Sequence, residues 1–322
     1  MRIMFFRLII IVSFVLGLAV NHVLADDASG ESALSYLKIA RGARMAALGE
    51  GGVSLADDSQ TLYYNPAGLT FLKNMEVSFQ KLVFVESISL THITYAQPVK
   101  WGGLGFGIGY LDSGSMDRYD VNNVKTGDFK STDYDLFAGI SVKLLDNLSA
   151  GLTLKLIKEQ IDDESVSVFS GDCGLTILNV EDRIIFGLSI QNFGGKVKYI
   201  NDSFSQPLII RLGASLKTSS DFIVYCEGLN SSDAGNDLRI GFELPIQKVV
   251  FVRGGYKYLI DNDPDLGGTF GLTGGIGFRL YSFDIDYALV PFDDFDLTHR
   301  YSLSYRFGNR RSLKKSTYGN NL

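Results

Sequence analysis

Four stretches of this chain alternate apolar and polar side chains for longer than a soluble strand needs, and this limits the available folds more than any other feature. Leu208, Ile210, Leu212, Ala214 and Leu216 fall on one face of an extended chain, with Arg211, Gly213, Ser215 and Lys217 on the other, because successive side chains of a strand point to opposite sides. Phe270, Leu272, Gly274, Ile276, Phe278 and Leu280 oppose Gly271, Thr273, Gly275, Gly277 and Arg279 in the same way. So do Tyr281, Phe283, Ile285, Tyr287 and Leu289 against Ser282, Asp284, Asp286 and Ala288, and Tyr301, Leu303, Tyr305 and Phe307 against Ser302, Ser304 and Arg306. Strands of soluble domains average about 5 to 6 residues. A tilted strand that crosses a bilayer needs about 9 to 11, and these runs match the second length.

Segments of this kind begin near Glu76, Ser87, Gly102, Thr132, Leu148, Ser165, Arg183, Gln206, Asp221, Asp237, Val249, Gly267, Tyr281 and Asp296, which makes about fourteen. Short links are expected near 98–101, 146–147, 179–182, 218–220, 245–248 and 280, interleaved with longer ones at 112–131, 160–164, 193–205, 230–236, 260–266 and 291–295. Only the first hairpin, near 84–86, is short on the side of the long links. Sorting of link length by parity is the habit of outer-membrane barrels, whose periplasmic turns are short. The fold class expected over residues 73–308 is therefore all-β: an antiparallel transmembrane barrel of about fourteen strands. Trp101, Tyr110, Tyr258, Tyr281 and Tyr305 lie near strand ends, where interfacial girdles belong.

Before the barrel the texture differs. Arg2 and Arg7 precede an apolar run from Leu8 to Val20, and Val23 and Ala25 sit where a signal peptidase reads, so residues 1–25 are expected to be a secretory leader. Without its two arginines the balance is 28 basic (30 − 2) against 36 acidic residues, about −8, which disfavours a nucleic-acid partner. Residues 26–72 are small and helix-compatible: Asp57 and Gln60 have capping-box spacing, and Asn65 followed by Pro66 fits an N-cap. A basic tail, residues 309–322, carries Arg310, Arg311, Lys314 and Lys315.

With 3 histidines and 2 cysteines, the chain offers little for catalysis, a cofactor or a metal, and none of these is expected. His92 and His299 fall on the second and last strands and could join a Ser or Asp only across the first, so a catalytic triad, whose members must be in contact, is not expected. Asp261, Asp263 and Asp265 open like a calcium loop, but Leu266 and Leu272 stand where it needs Gly and Glu. Cys173 and Cys226 are read as lipid-facing, unpaired residues on strands that are not neighbours. Gly103, Gly105, Gly107 and Gly109 form a smooth inward patch for close approach.

The stretch Ala40-Arg41-Gly42-Ala43-Arg44, then Gly51-Gly52-Val53-Ser54-Leu55-Ala56-Asp57-Asp58, then Tyr63-Tyr64-Asn65-Pro66-Ala67-Gly68-Leu69, resembles the N-terminal hatch of the FadL-type outer-membrane transporters, most of all their PorV/PorQ-like branch. The ending from Thr298 to Phe307 is similar to the last strand of that branch. The resemblance implies a bacterial outer-membrane barrel, in contact with outer-membrane lipid, plugged by its own N-terminus around Asn65, Pro66, Ala67 and Gly68. It implies passage of small hydrophobic or amphipathic molecules, or alternatively a non-transporting scaffold for secretion or surface attachment of exported proteins, with secreted proteins as partners, as in type IX secretion. Inward Arg211, Arg239, Arg253 and Arg279, with Glu243, Asp284 and Asp286, are the candidate lumen lining. They are open to two readings: binding an anionic head group, or pairing with the plug.

Overall fold

The computed structural model describes residues 32–55, 57–84, 88–179, 183–199, 202–260, 271–291 and 297–308. The expected leader, the acidic run at 261–265 and the basic tail lie outside the described residues.

Fourteen antiparallel strands close into one barrel. They are β1 (Met75–Val83), β2 (Ser89–Val99), β3 (Gly102–Tyr119), β4 (Lys125–Leu145), β5 (Leu148–Ile161), β6 (Glu164–Asn179), β7 (Ile184–Gly194), β10 (Ile209–Lys217), β11 (Ile223–Ser231), β12 (Gly235–Ile246), β13 (Val250–Leu259), β14 (Leu272–Leu280), β15 (Phe283–Pro291) and β16 (Leu297–Phe307). A small separate hairpin, β8 (Val197–Tyr199) with β9 (Asp202–Phe204), sits in the link between β7 and β10. Closure comes from β1 pairing with β16, Val77 opposite Tyr305 and Phe79 opposite Leu303. A closed sheet leaves no edge, so each strand's backbone groups are paired inside the wall.

The side-chain pattern is the inverse of a water-soluble protein's. On β1, Glu76, Ser78 and Gln80 are buried toward the lumen while Val77 and Phe79 face out, Phe79 with 44% of its surface exposed. On β16, Thr298, Arg300, Ser302 and Ser304 face in, and Leu297, Tyr301, Leu303 and Tyr305 face out. An apolar exterior over a polar interior suits hydrocarbon as the outer solvent. No helix among the described residues is long and apolar enough to cross a membrane. Trp101 and Tyr281 are exposed at one end of the wall and Tyr258 at the other, as girdles require.

Two expected links are partly strand. Instead of a loop at 112–131, β3 and β4 run on as a protruding hairpin, joined only by residues 120–124, with a register irregularity between Asp112 and Ser115. Past Asp112 this hairpin has neither lipid nor a packed lumen beside it, so nothing imposes alternation and its periodicity fades from the sequence. The link at 193–205 contains β8 and β9, and Val197 is fully buried. The expected long links at 160–164 and 230–236 tighten to 162–163 and 232–234, so the sorting by length is weaker than the sequence indicates. We call the end carrying 120–124 and 195–208 the loop end, and the opposite end the turn end.

Candidate functional site

Residues 32–55 and 57–72 lie inside the wall and pass through it from the loop end to the turn end. At the loop end, Ala33 N–H donates to Ser205 O at 3.0 Å and Lys38 pairs with Asp233 at 2.8 Å. Leu34, Tyr36 and Leu37 pack there against Ile157, Val168 and Val197. A one-turn helix, Ala43–Ala47, follows, its alanines seated on Ala288 and Val290. Small side chains on both surfaces bring backbone against wall, and Ala43 N–H reaches Ser302 Oγ at 2.8 Å.

Lower in the lumen, wall carboxylates capture free backbone donors of the segment. Glu227 Oε2 accepts from Gly52 N–H at 2.7 Å and Val53 N–H at 2.9 Å, while its Oε1 takes Arg211 at 2.7 Å. Glu76 accepts from Ser59 N–H at 2.8 Å. Glu50 is ringed by Arg300 at 2.6 Å and Lys257 at 3.4 Å, with Arg239 donating to its carbonyl. Against the burial that would raise it, Arg300 and then Lys257 and Arg239 hold the Glu50 carboxyl well below the usual carboxylate range.

Asn65, Pro66, Ala67 and Gly68 are all buried and start a 3₁₀ turn, Pro66–Phe71. Asn65 caps it: its Oδ1 accepts from Ala67 N–H at 3.2 Å, and its Nδ2 donates to Val53 O at 2.9 Å, Leu175 O at 3.0 Å and Thr176 Oγ1 at 3.1 Å. One side chain thus ties the cap, a distant loop of the segment and the wall together. The expected Asp57–Gln60 capping box does not form. Asp58 Oδ1 takes Gln60 N–H at 2.9 Å instead, and Asp57 is drawn away to Arg44 at 2.5 Å.

The wall is cut back to receive this segment. A Cβ on Gly151 would lie 2.3 Å from Ala67 N, one on Gly187 would lie 2.1 Å from Val53 O, and one on Gly103 would lie 2.3 Å from Leu69 O. Gly107 and Gly109 of the expected glycine patch accommodate Phe137, and Asp135 with His92, so that patch serves wall side chains as well as the segment.

The candidate lumen residues divide by height. Arg211 is completely buried and divides its bonds between Gln191 and Glu227. Arg239 forks onto Asp237 at 2.7 and 2.8 Å. Arg253 bridges Glu243 at 2.8 Å and Asp286 at 2.6 Å. Glu243 in turn holds Arg44 of the segment. Arg279 sits apart at the turn end, its side chain 40% exposed and paired with Asp284, which also takes Arg306 at 2.6 Å.

Arg44, Glu50 and Glu227, the partners that make this an interlocked set, were missing from the sequence-based candidates, as was the buried pair of Arg41 with Asp135. Glu227 alone carried a visible signal, an acid at an inward position of a mostly apolar strand. His92 faces inward, whereas His299 faces outward against Tyr287, so the two histidines share no site.

No protein-family model matches the chain, and no curated protein matches it. Solved structures do match. The chain is similar to the CymD monoaromatic hydrocarbon channel (TM-score 0.62, 12% identity, covering 85% of this chain and 99% of that one). It is similar to the Ralstonia pickettii toluene transporter TbuX (TM-score 0.60, 14% identity, 83% and 98%) and to a Pseudomonas aeruginosa FadL homologue (TM-score 0.54, 12% identity, 83% and 98%). At these identities the likeness is one of fold, extending over nearly the whole of each neighbour.

Proposed function

We propose that this protein is a channel of the bacterial outer membrane, closed by its own N-terminal segment, which admits small hydrophobic or amphipathic molecules. The observation that carries this reading is the seating of residues 32–55 and 57–72 along the full height of a barrel with an apolar exterior. A barrel of about fourteen strands is too wide for its own side chains to fill, so a plug is what makes the wall impermeable at rest. In this reading residues 26–72 are the hatch, residues 73–308 the barrel, and Asn65, Pro66, Ala67 and Gly68 the hatch's fixing point. Arg211, Arg239, Arg253 and Glu243 hold the hatch and do not bind an anionic head group, because each is already paired.

The neighbours that carry monoaromatic hydrocarbons and toluene support an apolar or amphipathic solute. Assignment to the FadL-type superfamily, and within it to the PorV/PorQ-like branch, rests on the motif resemblance around Asn65. No specific observation favours the scaffold alternative. Deleting residues 32–69 tests the reading in planar bilayers: the truncated barrel should conduct steadily where the intact protein conducts little. Equal conductance of the two would overturn it.

A further inference from the structure

The hatch is not equally well fitted all round. Of the 14 buried side-chain atoms with no hydrogen-bond partner among the described residues, 8 lie on one flank of the lumen, on β1, β2, β4 and β16 and on the hatch between Tyr36 and Arg41. Three of them, Gln80 Oε1, His92 Nε2 and Arg300 Nε, belong to residues lining a single cavity of about 10 Å³ beside hatch residues 40–43. All three residues are at least nine-tenths buried. Leu82 and Leu90 form the apolar part of the same lining.

Unpartnered buried polar atoms each cost about 1–3 kcal/mol, so three of them on residues around one void mark a place made for something else. The charges there decide what. Arg300 is neutralised by Glu50 at 2.6 Å, and behind His92, Arg41 is neutralised by Asp135 at 2.6 Å. His92 Nε2 stands 3.8 Å from Asp135, too far for a hydrogen bond. The lining has no carboxylate to receive a cation, and its own cations are Arg300, already paired with Glu50, and Lys81, which lies on the exposed face of β1. A hydrocarbon would leave all three unpartnered atoms unsatisfied. A volume of this size accepts about one water-sized group, which is a hydroxyl and not a carboxylate.

We propose that this flank is a recognition site for the hydroxyl head of a neutral amphipathic molecule, phenol-like or alcohol-like, with its apolar body laid against Leu82 and Leu90 as hatch residues 40–43 give way. The hydroxyl donates to Gln80 Oε1 and accepts from Arg300 Nε. This deepens the channel reading and rests on it: the permeant class is hydroxylated rather than purely hydrocarbon. The hatch backbone beside the site is held by Arg300 Nη1 to Ala40 O and Ala43 N–H to Ser302 Oγ, both at 2.8 Å, and by the Tyr64 hydroxyl, which accepts from Arg41 N–H at 2.9 Å and donates to Arg41 O at 3.0 Å.

The test titrates the folded full-length protein in detergent with p-cresol, toluene, p-toluate and 4-methylbenzylamine by calorimetry, and follows their flux into proteoliposomes. Saturable binding of p-cresol about tenfold tighter than of the anion and the cation is expected, one well-made hydrogen bond being worth about that factor. Gln80→Leu, checked for folding by heat-dependent gel mobility, should weaken p-cresol about tenfold and leave toluene unchanged. The comparison of probes on the unaltered protein decides the matter if that variant misfolds. Binding of toluene or p-toluate as tight as p-cresol, or a p-cresol affinity that ignores Gln80→Leu, overturns the site while flux leaves the channel standing. The expected binding without flux of any probe overturns the channel and leaves the site. Neither binding nor flux overturns both.

Discussion

Arg44 of the hatch grips Glu243 of β12 with two parallel bonds, Nε to Oε2 at 2.7 Å and Nη2 to Oε1 at 3.1 Å. A planar fork meeting a carboxylate in this way fixes orientation as well as charge. Because Glu243 also takes Arg253 and Arg253 takes Asp286, the hatch helix is tied through one carboxylate to residues of three wall strands, β12, β13 and β15.

Glu243→Gln should therefore loosen the hatch by roughly 2 kcal/mol, less than the 3–5 typical of a fully orphaned buried charge, since Arg44 keeps Asp57 and Asp58. Protease cleavage within residues 43–58 should accelerate while the barrel keeps its heat-dependent mobility. An unchanged cleavage rate would show that the fork is dispensable.

Asn65→Ala removes one cap bond and three bonds to Val53, Leu175 and Thr176. A cost of about 2 kcal/mol follows from the cap and the buried carbonyls left unpaired. Planar-bilayer recordings should show a partial leak, larger when Pro66→Ala is added and smaller than after deletion of the hatch.

Gly151→Ala places a methyl 2.3 Å from Ala67 N, so backbone must move at the fixing point. Gly195→Ala, whose Cβ meets nothing within 4 Å, is the control. The first should raise steady conductance and the second should not; equal behaviour would mean that close seating at Gly151 does not matter for closure.

Asp58 carries the pH dependence. Burial, with Glu76 and Asp57 nearby and Arg44 pulling the other way, pushes its carboxyl up to about 7. A carboxyl raised in the folded state stabilises that state when protonated: the contribution is complete below about pH 4 and fades as pH rises through about 7. Hatch docking, read by hydrogen exchange of residues 57–64, should weaken between about pH 4 and 7. Asp58→Asn should flatten that slope.

Cys173 on β6 and Cys226 on β11 are both free. Three strand spacings of about 4.8 Å separate them, well beyond disulfide reach. Reductant should change neither the boiled nor the unboiled gel band, and a reductant-dependent band of the monomer would contradict the strand order.

The barrel was legible in the sequence because its wall lies between two different solvents. Lipid outside and a polar, packed interior inside force period-two alternation on each crossing strand, and the runs at 208–216 and 301–307 display it without help from any distant residue. Where that contrast ends, so does the signal, which is why Lys125–Lys130 of β4 and the hairpin of β8 and β9 read as loop. The Asn65-Pro66 start of a helical turn was equally local, a side chain and a fixed φ acting over two residues.

The pairings of the lumen depended on the tertiary structure alone. Arg44 with Glu243 is a contact across 199 positions of chain, and Gly52 with Glu227 across 175, and no spacing rule ties such residues together before the barrel closes. Sequence placed Arg211, Arg239 and Arg253 on the inner face, but which carboxylate each meets depends on strand tilt and on the height at which the hatch crosses. The capping box at Asp57 shows the same limit from the other side: a correct local motif lost its acid to Arg44, because a buried guanidinium needs a counter-charge more than a short helix needs a cap. Sequence by itself thus determined the wall and its inside-out polarity, since solvent contrast acts residue by residue. Only the closed barrel decided how the plug is held, since burial brings distant charges together and makes their pairing obligatory.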